Sequence, residues 1–405
     1  MPTLLLVLGI ALAASLFMSW TVGANSNSAP VAPAVGANAV STMRAALAVG
    51  VVAGLGALLQ GGAISETVGR RLVTGTTITP IAAAAALLTA ATLITIGNRR
   101  GYPIPSAFAV TGAVVGAGVA LGGGFAVHEY TVILGFWATI PVVDGLIGYG
   151  LARGLRSDAI PEPVAIPLLA GAIGAVLANI RLSVLGSSGS AQGSIARAVA
   201  TGLGLLPTHV LPGYTAGMVA VSLGFGLLAG LLARWQLVAD QRRGMDRFLV
   251  FLGFVVVFTS GGTQVGLATG PLEAIFRSDL HVSTIYLLAL GSVGILLGAW
   301  MGAPKLINAV ARDYASLGPR RSIAALTPAF LIAQLAIVLG IPISFNKVMI
   351  SSIVGAGLAA RASDDAGGVS VRKAGITVGA WVGSMVAGGL ISFALFNVLV
   401  AVPGV

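Results

Sequence analysis

The sequence predicts an all-α polytopic membrane protein. About twelve transmembrane helices are expected in two inverted repeats, with broken or re-entrant helices at the centre. Three observations carry this: scarce charge, long apolar runs separated by basic loops, and an internal repeat. Only 8% of the 405 residues are charged and 57% are hydrophobic, with a mean hydropathy of +0.99. A soluble domain carries about 25% charged residues. So little charge cannot cover a water-facing surface, which excludes a soluble enzyme and a disordered chain. The net charge of +10 would suit nucleic acid only on a solvated basic face. Here the Lys and Arg lie in short clusters between uncharged runs, so the expected partner is the lipid bilayer and not nucleic acid. Cysteine is absent, which removes disulfides, thiolate metal sites and a cysteine nucleophile. The 57 glycines suit close helix packing in lipid. The first apolar run continues into the body of the chain, so no separate signal peptide is expected.

A span needs about 20 apolar residues. Such runs lie near 2–22, 44–65, 75–97, 103–123, 131–151, 163–180, 213–233, 248–270, 281–303, 322–340, 342–360 and 376–402. With the N-terminus outside, loops after odd-numbered spans face the cytoplasm. The outer loops then hold only Arg70, Arg71, Arg181, Arg197 and Arg277, and every other Lys and Arg except Lys347 falls in the cytoplasmic loops. This positive-inside bias places the chain in the cell membrane, multi-pass, with both termini outside. The longest non-spanning stretches are 181–212, which is Gly/Ser-rich from Gly186 to Ser194, and the basic segment 234–247, read as a cytoplasmic hinge. The expected organisation is a first repeat over 1–160, connecting spans over 161–247 and a second repeat over 248–405.

The repeat rests on three blocks in the same order. Gly101–Gly118 lines up with Gly340–Gly357, sharing a Gly-x-Pro-Ile start and a Val-Gly-Ala-Gly end. Gly135-x-Trp137 with Gly145-Leu-Ile recurs as Gly379-x-Trp381 with Gly389-Leu-Ile, and Thr21–Ser26 matches Thr259–Gln264. The copies lie seven spans apart. An odd shift inverts the second copy in the membrane, the mark of secondary transporters with a site near the midplane.

Four symmetric interruptions mark that midplane. Gly23–Pro33 carries two Pro and a run of small polar residues, which cannot continue a helix in lipid. A second break is expected at Ser260–Gln264, closed by Thr269-Gly270-Pro271. Pro103-Ile-Pro105-Ser106 and Pro342-Ile-Ser344 read as helix starts, whose free N–H groups suit an anion. The alternative is that the glycines and serines only let helices approach closely.

At these residues the chain resembles the inorganic phosphate transporter (PiT) family of anion permeases. That family carries two Gly-Ala-Asn-Asp-Val-Ala-Asn-Ala motifs, each followed by a Pro-Val-Ser-Thr-Thr-His-type helix start. Here the first motif reads Gly23-Ala-Asn25-Ser26-Asn27-Ser28-Ala-Pro30 and the second Gly261-Gly-Thr263-Gln264-Val-Gly-Leu-Ala268. Ser26 and Gln264 replace both family aspartates, Phe108 and Lys347 replace the histidines, and a family glutamate falls near Ala53. The resemblance implies a secondary active transporter of inorganic phosphate working by alternating access. It implies sodium or a proton as coupling ion, no other cofactor, and a possible homodimer. Loss of the carboxylates puts coupling at those positions in question, since hard cations prefer charged oxygen ligands. Neutral oxygens with a bound anion are the alternative.

The expected substrate contacts are Asn25, Ser26, Ser106, Thr263, Gln264, Ser344, Asn346 and Lys347. The coupling-ion candidates are Asn25, Ser26, Thr263, Gln264 and Asp144. Lys347 lies inside a span, where a charge is costly and usually functional, although a snorkelling stem would also explain it. Asp144 is read as the one carboxylate well inside a span, as a cation or proton site, as a partner of Lys347 or as a structural residue. Glu66 and Glu129 read as solvated charges at span ends. His128, His209 and His281 are scattered and lack ligand spacing, so no metal site is expected. Sulfate is the alternative substrate, since it only accepts hydrogen bonds and the motif carboxylates are gone. A channel would want a continuous polar lining. An intramembrane hydrolase would want a nucleophile with its base. Neither pattern is present, and no enzyme is expected.

Overall fold

Twelve helices occupy the twelve predicted runs. The computed structural model describes the chain except residues 1, 37, 100–103, 157–160, 186–192, 206, 315–317, 362–370 and 403–405. Pro103 and most of the Gly/Ser-rich loop therefore lie outside the described residues. In chain order the helices are α1 (Pro2–Asn25), α2 (Ala32–Gly36), α3 (Thr42–Gln60), α4 (Gly62–Glu66), α5 (Pro80–Arg99), α6 (Ser106–Ala120), α7 (Val127–Gly154), α8 (Glu162–Ala178), α9 (Ile195–Gly202), α10 (Ala216–Ala239), α11 (Gln241–Ala274), α12 (Thr284–Tyr314), α13 (Gly318–Leu339), α14 (Phe345–Arg361) and α15 (Val371–Ala401). Among the described residues nine of these are long and apolar enough to cross a bilayer, and α6, α8 and α14 are shorter apolar helices. Leu223, Leu227 and Leu231 on α10, Val142 and Leu146 on α7, and Val386 and Leu390 on α15 point outward and exposed. Such a surface would aggregate in water and suits lipid tails.

Helix directions show the inversion. The repeat mates α1 and α11 run antiparallel, since Ser15 reaches the Ala268 carbonyl while Asn27 meets Ser260. The mates α3 and α12 are also antiparallel: Thr42 meets Asn308, Trp300 meets the Leu47 carbonyl, and Gly61 lies beside Leu288. Across the copies the contacts are reciprocal. Helix α1 packs along α12 as α11 packs along α3, and α6 packs along α15 as α14 packs along α7. A pair of two-fold-related repeats gives this pattern.

The loops sort into two ends. One end joins the segments after α4, α6 and α13, with β1 (Val73–Thr74) pairing β2 (Gly124–Phe125). The other joins those after α7, α10 and α12, where Glu162 holds Arg320 and accepts from Gln241 at 2.6 Å. The five arginines predicted outside belong to the first end, with Arg70 and Arg277 flanking Glu273 and Arg71, Arg181 and Arg197 lining one pocket.

Two expectations change. The predicted break at Ser260–Gln264 is absent, because α11 runs unbroken through it and through Pro271. The helix is buried along this stretch and its glycines serve packing. A Cβ on Gly261 would overlap the Ala53 carbonyl oxygen, and one on Gly56 the Phe258 carbonyl. The close-approach reading therefore holds for the second copy, and the broken-helix reading for the first, where α1 stops at Asn25 and Ser26–Ser28 is non-helical before a short 3₁₀ turn. The 234–247 hinge is a single residue: α10 ends at Ala239 and α11 begins at Gln241, with Asp240 Oδ1 capping the Arg243 N–H at 3.0 Å. Among the described residues the 181–212 stretch holds no helix long and apolar enough to cross a bilayer; it carries β3 (Arg181–Leu182) paired with β4 (Gly193–Ser194), then α9 and β5 (His209–Leu211), which pairs with β6 (Tyr214–Thr215) just beyond it.

Overpacking a tight core costs about 1–3 kcal/mol, more when backbone must move. Gly56→Ala is expected to lower the unfolding midpoint of the detergent-solubilised protein by several degrees. Gly135→Ala, whose Cβ meets nothing within 4 Å, is the control and leaves it unchanged. Equal midpoints for both variants would contradict the close α3–α11 contact.

Candidate functional site

Polar side chains from both copies meet inside the apolar core. They form a connected chain. Ser260 Oγ donates to Asn27 Oδ1 at 2.7 Å, and Thr263 Oγ1 donates to the Ser260 carbonyl at 2.9 Å. Gln264 Nε2 reaches Thr263 Oγ1 at 3.4 Å and the Ile343 carbonyl at 3.3 Å, while its Oε1 accepts from Ser106 Oγ at 2.7 Å. Gln264 thus ties α11 to the N-terminus of α6 and to the non-helical residues 341–344 before α14. A second chain runs from Gln60 to Gln334 at 3.4 Å and from Gln334 to Thr259 Oγ1 at 2.8 Å.

The sequence explains these positions. Pro105 stands at the N-cap of α6 with extended backbone and has no N–H to give, so Ser106 opens the helix facing the core. Gly340 adopts φ +68 and follows the end of α13, and residues 341–343 leave their carbonyls free of a helix. At the α1 break the donors outnumber their partners. Asn25 Nδ2, Asn27 Nδ2 and Ser28 Oγ are buried with no hydrogen-bond partner among the described residues. Each such group costs about 1–3 kcal/mol if left unpaired.

Of the predicted contacts, Ser106, Thr263 and Gln264 are joined directly. Asn25 and Ser26 are buried at the break, beside Asn27, which makes the link to α11. Ser344 is buried, and its carbonyl receives the N–H groups of Lys347 and Val348 at 3.0 and 3.3 Å. Asn346 is half-buried, and no side-chain bond joins it to the other described residues.

Lys347 does not snorkel. It is 6% exposed, its ammonium donates to the Trp137 carbonyl, and it lies over the rings of Trp381 and Phe108 at 4.6 and 5.2 Å. Phe108 in turn stacks on Trp137 with centroids 3.8 Å apart. Phe108 and Lys347 are repeat mates, as are Trp137 and Trp381, so this aromatic box sits where the two copies meet. Asp144 is fully buried on α7 against α14, and neither oxygen has a hydrogen-bond partner among the described residues. It forms no ion pair with Lys347.

Sequence reasoning missed Gln60, Thr259, Ser260 and Gln334 as site residues, and used Asn27 and Ser28 only to mark the break. A lone amide inside an apolar run was the available signal for Gln60 and Gln334. It also missed Glu273, 1% exposed at the end of α11, with Arg277 Nη1 at 3.6 Å and Arg70 Nε at 3.9 Å. Glu273 lies past the predicted run 248–270, so it is a second buried carboxylate, while Asp144 lies well inside its helix. Among the described residues no group of His, Asp and Glu could hold a metal ion together.

The comparisons agree with this architecture. Residues 22–392 match the sequence model of the phosphate transporter family. A protein of Chlamydia pneumoniae named "Putative phosphate permease" is 24% identical over 374 residues, covering 85% of this chain and 87% of its own. One of the same name from Pyrococcus furiosus is 24% identical over 362 residues, covering 84% and 85%. One from Helicobacter pylori is 26% identical over 376 residues, covering 84% and 66%. A solved structure, the sodium-dependent phosphate transporter, superposes with a TM-score of 0.81 at 22% identity over 98% of this chain and 99% of that one, which shows a shared fold. With a family match that spans both repeats and the polar chain between them, this protein belongs to the phosphate transporter family.

Proposed function

We propose that the chain carries inorganic phosphate across the cell membrane by alternating access, coupled to an ion gradient. One observation carries the reading: the buried unpaired donors of Asn25, Asn27 and Ser28 beside the Ser260–Thr263–Gln264–Ser106 chain. Buried polar groups are paired almost without exception, and an orphan set asks for an unseen partner. Amides and hydroxyls donate, so the partner that satisfies them is an acceptor, and a tetrahedral oxyanion offers several acceptor oxygens at once. Asn25, Ser26, Ser106, Thr263 and Gln264 are the proposed contacts, with Ser344 and Asn346 at the start of α14. Lys347 supplies positive charge from the aromatic box.

Sodium or a proton is the proposed coupling ion. With Ser26 and Gln264 at the aspartate positions, neutral oxygens of Asn25, Ser26, Thr263 and Gln264 would hold sodium beside the negative charge of the bound anion. Asp144 is the proposed site for a proton. The transport units are 1–160 and 248–405, joined by 161–247, with both termini outside. Sulfate is a second reading, favoured by the lack of any carboxylate bonded within the polar chain among the described residues. Phosphate donates a hydrogen bond where sulfate only accepts.

Purified protein in liposomes is expected to take up labelled phosphate, with unlabelled sulfate failing to suppress it. Sodium and proton gradients imposed separately identify the coupling ion. Sulfate uptake without phosphate uptake would move the assignment to sulfate, and gradient-independent leak would make the protein a channel.

Gln264→Leu keeps the bulk but removes both the acceptor for Ser106 and the donor to Ile343. It is expected to lower uptake roughly 5- to 150-fold, the range that about 1–3 kcal/mol for a lost buried partner gives. Full uptake by a folded variant would remove Gln264 from the site. Lys347→Met fills the aromatic box without charge and is expected to raise KM for phosphate at least about tenfold, while Lys347→Arg keeps partial activity. An unchanged KM in Lys347→Met would leave the lysine a packing role only.

A further inference from the structure

At the end of the molecule that gathers Arg71, Arg181 and Arg197 lies a cavity of about 570 Å³ outside the polar chain. We propose that this cavity is an antechamber that captures a soluble oxyanion before it reaches the central site. The inference extends the phosphate-transport reading and rests on it for the identity of the cargo.

The local fold builds the cavity. Strands β3 and β4 pair Arg181 with Ser194. Ser194 Oγ then caps α9 by accepting the Arg197 N–H at 3.2 Å, so one short unit fixes both arginines on the same wall. Arg181 spends one donor on the Val338 carbonyl at 3.3 Å, and a guanidinium has five. The Arg197 guanidinium has no protein partner among the described residues. Arg71 contributes less, since it is ion-paired with Glu66 at 3.1 Å. Three guanidinium groups against one carboxylate leave the cavity positive, and charge in a low-dielectric cleft focuses the field on an arriving anion. Guanidinium forks also match the oxygens of phosphate.

The cavity adjoins the site. Gly340 belongs to its lining, and a Cβ there would press on Thr67 Oγ1 at 2.8 Å. From Gly340 the chain runs outside any helix or strand to Ile343, whose carbonyl accepts from Gln264. Three residues reach at most roughly 10 Å. An anion held by Arg181 and Arg197 is thus one strap away from the polar chain, with the backbone of 341–344 between.

The absence of cysteine makes the test clean. Tyr214 lines the cavity and is 39% exposed, so Tyr214→Cys places a single thiol there. In phosphatidylcholine liposomes at low ionic strength, a sulfonate-bearing methanethiosulfonate is expected to label it about tenfold faster than a trimethylammonium one. Inorganic phosphate in solution is expected to slow the labelling. The preference is expected to collapse toward unity in Arg181→Gln/Arg197→Gln, and in the otherwise native chain that pair of substitutions is expected to raise KM for uptake several-fold with Vmax unchanged. Equal labelling by both reagents, or a preference untouched by the substitutions, would overturn the proposal. So would protection that phosphate in solution never gives and that appears only with anionic lipid, since the occupant would then be a lipid headgroup. A charge preference with phosphate protection in a protein that transports no phosphate would keep the antechamber and sink the transport reading alone.

Discussion

Every polar atom at the centre of this molecule has to find its partner within protein, because hydrocarbon offers none. Gln264 is where that constraint is met most tightly. Its one amide holds Ser106 at the head of α6 and the Ile343 carbonyl before α14, so it binds the two places where backbone leaves the helical ladder. The amide can do this only because α11 stays whole and passes within glycine contact of α3. The close approach, the intact helix and the bridging amide are one arrangement, and the inverted repeats are the frame that brings the two helix starts face to face.

The span positions and the inversion were legible because they rest on long-range averages. Twenty apolar residues, a basic loop and an odd repeat offset survive any local detail. The helix start at Ser106 was legible too, since Pro105 stands at its N-cap, while α14 begins at Phe345, three residues past Pro342. What failed was local and depended on neighbours. Ser260-Gly-Gly-Thr-Gln reads the same whether it breaks a helix or lets another helix touch it, and only the position of Ala53 and Gln60 on α3 decides. The segment 234–247 read as a hinge because it is charged, yet charge does not break a helix that projects beyond the bilayer, and Asp240 caps the next one at once.

The site was legible in part. Ser106, Thr263 and Gln264 stood out because the repeat aligned them. Ser260 and Asn27 bond across 233 positions of sequence, a distance over which no spacing rule operates. Gln60 and Gln334 come from helices with no motif at all. Glu273 escaped notice because it lies past the apolar run 248–270; Arg277 is one turn further along the same helix, but Arg70 comes from about 200 positions away.

The two copies share a frame but not a chemistry. The first is broken after Asn25 where the second runs whole, and at the mated positions beside the axis one copy offers the ring of Phe108 and the other the ammonium of Lys347. In a carrier made of identical inverted halves, the outward-open and inward-open forms would be mirror versions of one another and equal in energy. In the proposed cycle that degeneracy is lifted, so the empty forms open to the two sides differ in energy.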